Sequence, residues 1–311
     1  MNRRSFIKST GIASIGLGLK IDKTYSNNSL SNFPIGIATW DVKNATKRAW
    51  EILSSGRNSL DAVEQGCRVE EANKEGQSVG IGGLPDREGN VTLDACIMDY
   101  YGNCGSVVYL KEIKHAISVA RMVMEKTPHV MLAGEGAKKF AISMGFKKEN
   151  LLTEKSKKDW IKWKENEEYK PIINIENHDT IGMLAIDKDQ NISGGCTTSG
   201  LAYKMQGRVG DSPIIGSGTW AQNNVCGVSS TGHGEFFIKY QVAKEVCTRI
   251  EYLNKSIVEA SQEIIDELER IEAYGGIIAI DYDANIAMPF NTDGMIRGGI
   301  TNKRKIFVEI Y

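Results

Sequence analysis

The chain has 311 residues, 41% of them apolar, and a formal net charge of −1. That length allows one large domain or two small ones, with enough apolar residues to bury a sizeable core. The charge balance excludes the basic footprint of a nucleic-acid or anionic-membrane binder.

At the N-terminus, Arg3-Arg4-Ser5-Phe6-Ile7-Lys8 precedes a glycine-punctuated apolar run over 11–19. The run is too short to span a bilayer and reads as a targeting segment. It resembles the twin-arginine export signal of bacteria, which carries folded cargo. Residues 1–32 are therefore expected to be a leader, and the mature protein to be periplasmic or secreted. A frayed cytosolic tail is the other reading.

Residues 34–40 read as a first strand. Ala45, Ala49, Trp50 and Leu53 recur at helical spacing over 44–55, and Gly56 ends that helix. Ser59 is expected to cap a second helix with Leu60, Ala62, Val63 and Cys67 on its inner face. Strands are expected over 91–99 and 105–109, and helices over 116–126 and 134–145. Residues 147–170 are dense in Lys and Glu, with Trp160 and Trp163 among their few large apolar side chains. They read as a solvated helix and loop. Residues 182–192 and 276–286 match position for position: apolar strand, Asp-x-Asp-x-Asn turn, apolar strand. Each is expected to be a β-hairpin, with 86–90 a looser third instance. The glycine and distal Glu of a calcium loop are missing. Long helices are expected over 232–253 and 256–274. Helices segregated from hairpins imply an α+β layered domain with antiparallel strands rather than a dinucleotide-binding fold. Cys67, Cys96, Cys104, Cys196, Cys226 and Cys247 show no zinc spacing and read mostly as small buried residues.

The chemistry centres on Asn177-His178-Asp179-Thr180-Ile181-Gly182, where a polar segment turns into an apolar run. A threonine hydroxyl in mid-chain has no ready base. It gains one when its own α-amino group is free, because that amine titrates near neutrality. Cleavage of Asp179-Thr180 would make Thr180 such a nucleophile. Read alone, Thr180 is better taken as simply the first β-branched residue of a strand. Three later clusters shift the balance. Thr197-Thr198-Ser199-Gly200 could hold the nucleophile or form an ordinary turn. Arg208 and Asp211 in Gly207-Arg208-Val209-Gly210-Asp211-Ser212-Pro213 could grip an amino acid, guanidinium to carboxylate and carboxylate to ammonium, or form a surface ion pair. Thr231-Gly232-His233-Gly234-Glu235 offers a hydroxyl and backbone N–H groups for an oxyanion, with His233 in a local structural role.

These motifs, in this order, resemble the glycosylasparaginases, which are N-terminal-nucleophile hydrolases. The likeness also takes in Ser78-Val79-Gly80, Pro85-Asp86-Arg87, the strand at 93–99 and Glu125-Lys126-Thr127-Pro128. It implies a four-layer αββα sandwich. It implies Thr180 as nucleophile, Asp179 promoting self-cleavage, Thr198 supporting Thr180, and Arg208 with Asp211 holding the aspartyl α-groups. Thr231 and Gly232 would form the oxyanion hole, Gly234 would line the pocket and Trp40 would cover it. The mature form would be a dimer of αβ heterodimers, with subunits 33–179 and 180–311, acting on a glycosylated asparagine or another β-aspartyl substrate without metal or organic cofactor. From Gly276 through Met295 the sequence looks more like plant-type asparaginases and isoaspartyl peptidases, so the leaving group stays open. A non-catalytic, uncleaved amino-acid binder is the reading from another class.

Overall fold

The computed structural model describes residues 33–40, 42–165, 180–303 and 305–311. The first part runs β1 (Ile35–Thr39), α1 (Val42–Ser54), α2 (Ser59–Glu71), β2 (Leu93–Met98), β3 (Cys104–Leu110), α3 (Ala116–Lys126), β4 (Met131–Ala133), α4 (Gly134–Ser143) and α5 (Glu154–Glu165). The second runs β5 (Thr180–Ile186), β6 (Ile192–Thr198), β7 (Thr219–Gln222), β8 (Cys226–Gly232), α6 (Gly234–Tyr240), α7 (Val242–Leu253), α8 (Ile257–Arg270), β9 (Gly275–Asp281), β10 (Ile286–Ala287), β11 (Arg297–Thr301) and β12 (Phe307–Glu309).

The strands form two sheets. An eight-stranded sheet has the order β12-β11-β1-β5-β6-β2-β3-β4, and a four-stranded sheet has the order β10-β9-β8-β7. All pairings are antiparallel except β3 with β4. Helices α1, α2 and α3 cover the outer face of the large sheet, and α7 and α8 cover that of the small one. This is the expected αββα sandwich.

Strand β5 shows why the layers hold. Every residue of it is buried. Ile181, Met183 and Ala185 join the core under the helices, while Leu184 and Ile186 join the core between the sheets. Side chains alternate along a strand, so Thr180 and Gly182 belong to the inter-sheet face. A strand buried on both faces reads as a continuous apolar run. Each fully buried Ile or Leu contributes roughly 1.5–3 kcal/mol.

The Asp-led turns are local devices. In β5–β6, Asp187 Oδ1 accepts the backbone N–H groups of Asp189 and Asn191 at 3.0 Å each. Asp281, between β9 and β10, does the same for Asp283 and Asn285, and Asp86 for Glu88 and Asn90. A further copy, Asp99 with Tyr101 and Asn103, was legible in the sequence but not read there. Among the described residues no group of three or more His, Cys, Asp or Glu could hold a metal ion.

Several elements depart from expectation. The cap of α2 is Asn58, whose side chain accepts from Asp61 N; the Ser59 hydroxyl instead meets Ser193 Oγ at 2.9 Å. The helix expected over 232–253 is two helices, broken at Gln241 with φ +50°. There Gln241 Nε2 bonds Ser217 Oγ at 3.0 Å, and Lys244 N bonds Gly216 O. A tertiary anchor outweighs helix propensity at that point. Strands β4, β7, β8, β11 and β12 were not foreseen, because each is short or rich in Gly and Ser and is shaped by its neighbours. The tryptophans of the charged run are also more than a solvated face. Trp160 Nε1 donates to Arg87 O, and Trp163 stacks on Tyr203. All six cysteines are free, and only Cys104 is not buried. Burial pushes the Cys96 thiol up to about 12.

Candidate active site

Thr180 opens β5 and is 8% exposed. Its carbonyl accepts from Thr39 Oγ1 at 2.9 Å, and the same Thr39 oxygen accepts from Gly182 N at 2.8 Å. Thr39 therefore clamps the first pleat of β5, at Thr180 and Gly182, to β1. It was missed in the sequence, where a threonine ending a strand carries no signal. Thr180 Oγ1 lies 3.4 Å from Ser212 Oγ. Ser212 was likewise passed over, since it follows the more conspicuous Asp211. Asp179 lies outside the described residues.

Thr198 stands directly opposite Thr180 across the β5–β6 ladder, so the two side chains share the inter-sheet face. Thr198 Oγ1 accepts from Gly200 N at 2.9 Å, and Gly200 sits at φ +77°, a conformation that favours glycine.

The small sheet brings the other groups. A Cβ on Gly182 would lie 2.3 Å from Ser229 Oγ, and one on Gly227 would lie 3.3 Å from Leu184 Cδ2. Strands β5 and β8 thus run closely past each other in opposite directions, and this carries Thr231 toward Thr180. Thr231 is 1% exposed, and its hydroxyl has no hydrogen-bond partner among the described residues. An unpaired buried hydroxyl costs about 1–3 kcal/mol, which is the kind of cost functional sites carry. Gly232 follows at φ +145°. Side chains would not fit here, because a Cβ on Gly232 would fall 2.5 Å from Gly275 Cα.

Arg208 and Asp211 converge on Gly234. A Cβ there would lie 2.9 Å from Asp211 Oδ1 and 3.0 Å from Arg208 Nη2. Hydrogen in place of a side chain leaves the guanidinium and carboxylate facing one small space. Arg208 does not pair with Asp211. Its Nε and Nη2 donate to the two carboxylate oxygens of Glu235 at 2.9 Å each. Burial would raise the Glu235 carboxyl, but the Arg208 guanidinium outweighs it and holds the group below its ordinary value. Asp211 is 5% exposed, and burial pushes its carboxyl up from 3.8 to about 6, against the pull of Arg208 and of Ser230 Oγ, 3.2 Å away.

His233 has the structural role expected. Its Nδ1 accepts from Tyr274 N at 3.0 Å, and burial lowers its pKa against the opposing Glu235 charge. Both features keep the ring neutral. Trp40 is half-buried directly after Thr39, in a left-handed conformation at φ +66°. A tryptophan there is an outlier of the sort that clusters at functional sites. It borders a cavity of about 400 Å³ shared with Lys43, Asn73, Glu75, Ile296 and Val308.

The sequence matches the asparaginase family over residues 21–309. The chain belongs to the asparaginase family of N-terminal-nucleophile hydrolases. Among its relatives in that family, the N(4)-(beta-N-acetylglucosaminyl)-L-asparaginase of Elizabethkingia miricola is 50% identical over 276 residues, which cover 87% of this chain and 81% of the relative. The rat enzyme of the same name is 36% identical, covering 79% of this chain and 80% of its own. An isoaspartyl peptidase from Salmonella typhimurium is 35% identical, covering 79% of this chain and 82% of its own.

Proposed function

We propose that the chain is a self-cleaving amidohydrolase. It splits the β-amide of N4-(N-acetyl-β-glucosaminyl)-L-asparagine into L-aspartate and the glycosylamine. The observation that carries this is a buried Thr180 at the head of β5, facing the unpartnered Thr231 hydroxyl and the Arg208/Gly234/Asp211 space. The 50% identical relative named for this activity supports the leaving group. The isoaspartyl peptidases at 35% identity and the sequence from Gly276 to Met295 support isoaspartyl peptidase or asparaginase activity as the second reading.

In maturation, Thr180 Oγ1 attacks the Asp179 carbonyl. The acyl group moves from nitrogen to oxygen, and water cleaves the ester to leave the Asp179 carboxylate and a free Thr180 amine. In catalysis, that amine takes the Oγ1 proton as the oxygen attacks the substrate's β-amide carbonyl. Arg208 holds the α-carboxylate and Asp211 the α-ammonium, while Thr198 and Ser212 orient the nucleophile. Thr231 Oγ1 and the Gly232 N–H stabilise the oxyanion. Collapse expels the glycosylamine, which takes the proton back from the Thr180 ammonium. Water then hydrolyses the β-aspartyl ester. Gly234 leaves room for the substrate's α-groups, and Trp40, next to the Thr39 clamp, would cover the pocket. The leader, the periplasmic location and the dimer of αβ heterodimers cut before residue 180 belong to the same reading.

N-terminal sequencing of the purified protein tests the core of it. One fragment should begin at Thr180, and Thr180→Ala should give a single uncleaved, inactive chain. Rates measured in parallel on N-acetylglucosaminyl-asparagine, a β-aspartyl dipeptide and asparagine should rank the glycosylated substrate first. A wild-type chain that stays whole and turns over none of the three would instead be a binder.

A further inference from the structure

Asp94, Thr198 and Thr180 form one row across the large sheet. Asp94 is the ladder partner of Thr198, and Thr198 of Thr180. Residues directly opposite on adjacent strands share a face, so all three side chains project between the sheets. Two strand spacings, roughly 10 Å, separate the backbones of its ends. Lys204, from the loop after β6, packs against the Asp94 end of this row. It is 1% exposed, with Nζ 3.5 Å from Asp94 Oδ2, and Asp94 is wholly buried. Neither of those two atoms has a hydrogen-bond partner among the described residues. A lysine is almost never fully buried without a reason, and a pair this loosely bonded is a poor source of stability.

The ammonium also bears on the turn that holds Thr198. A Cβ on Gly200 would fall 2.6 Å from Lys204 Nζ, so the lysine packs directly against the residue whose N–H bonds Thr198 Oγ1. Asp94 is itself fixed, since its Oδ1 accepts from Tyr109 N at 2.8 Å.

We propose that Lys204, paired with Asp94, is a positioning residue for the reaction. It braces Gly200 so that Thr198 stays aligned on Thr180, and it places a buried positive charge behind the nucleophile's amine. The inference rests on the proposed Thr180 chemistry. Lys204 is faced by Asp94 from β2, by Asp86 from the turn before β2 and by Arg208 from its own loop; burial lowers its pKa, and Asp94 is the strongest influence in the other direction. On the Thr180 side, the neighbouring ionisable group is Asp211, next to Ser212.

The test compares wild type with Lys204→Met and with the double variant Lys204→Met/Asp94→Asn, on N-acetylglucosaminyl-asparagine across pH. In Lys204→Met, kcat should fall about tenfold or more, as small misplacements do, with KM within about twofold because the amino-acid grip is untouched. The acid limb of kcat should move to higher pH, since the amine loses a neighbouring cation and keeps its proton longer. A neutral pair of similar volume is tolerated in many cores, so the double variant stays measurable if the single one does not fold. It should keep the low kcat while its acid limb returns toward wild type. Wild-type kcat in either variant, a loss confined to KM, or an unmoved acid limb in Lys204→Met overturns the proposal. An inactive wild type would sink the proposed function instead, so the two failures are distinct.

Discussion

The hairpins β5–β6 and β9–β10 are built on one sequence pattern and do opposite work. Both close through the same Asp-led turn. The first presents hydroxyls at its open end, Thr180 and Thr198. The second begins with Gly275 and Gly276, which pair with Gly232 and Thr231. A Cβ on Gly275 would lie 2.4 Å from Thr231 O and 2.7 Å from Phe237 Cζ. One hairpin thus presents hydroxyls between the sheets, and the other gives up side chains so that the backbone of β8 can approach. A shared motif sets the turn, and the residues at the far end of the strands set the role.

The comparison is broken most severely at the hydroxyl that β9 backs. Thr231→Val keeps the shape and removes the donor. It should lower kcat about a hundredfold, the usual cost of one oxyanion donor, with KM little changed. A pure KM effect measured in steady state would remove Thr231 from the oxyanion hole.

Asp211→Asn tests the buried charge between the hairpins. Losing the partner of the substrate ammonium should raise KM about thirtyfold or more. Stability should move the other way. The folded carboxyl is raised from 3.8 to about 6, so its contribution is fully present below 3.8 and is lost as pH rises through about 6. Melting of the variant should therefore be a few degrees above wild type at pH 8, with the gain gone below pH 3.8. A variant that melts lower than wild type at pH 8 would show that Asp211 stabilises the fold as an anion.

The smallest effect sharpens the role of β9. Gly275→Ala should cost about 1–3 kcal/mol by overpacking and about tenfold in kcat, through displacement of Thr231. Gly136→Ala in α4, where nothing lies within 4 Å of the added carbon, is the control and should melt no lower than wild type. Equal melting temperatures for the two variants would show that the close approach is not required.

Much of this was legible in the sequence for a physical reason. Period-2 and period-3.6 patterns and Asp/Asn turns are local, so β2, α3 and the paired hairpins could be placed from their own residues. The motif around Thr180 and the Arg208, Asp211 and Thr231 clusters could be read because each concentrates unusual chemistry in a few positions. What surrounds them could not. Thr39, Ser212, Glu235 and Lys204 matter through contacts with residues far away in the chain: Thr39 through a strand 141 positions on, and Lys204 through Asp94 on another strand.

The sequence by itself determined the family and the layered α+β class and singled out Thr180, because these rest on residue types and short spacings. Only the tertiary structure decided which hydroxyl faces Thr180, that Glu235 rather than Asp211 holds Arg208, and that a lysine lies buried beside Asp94. Those facts depend on how two sheets stack, and the geometry of stacking is carried by no single segment of the chain.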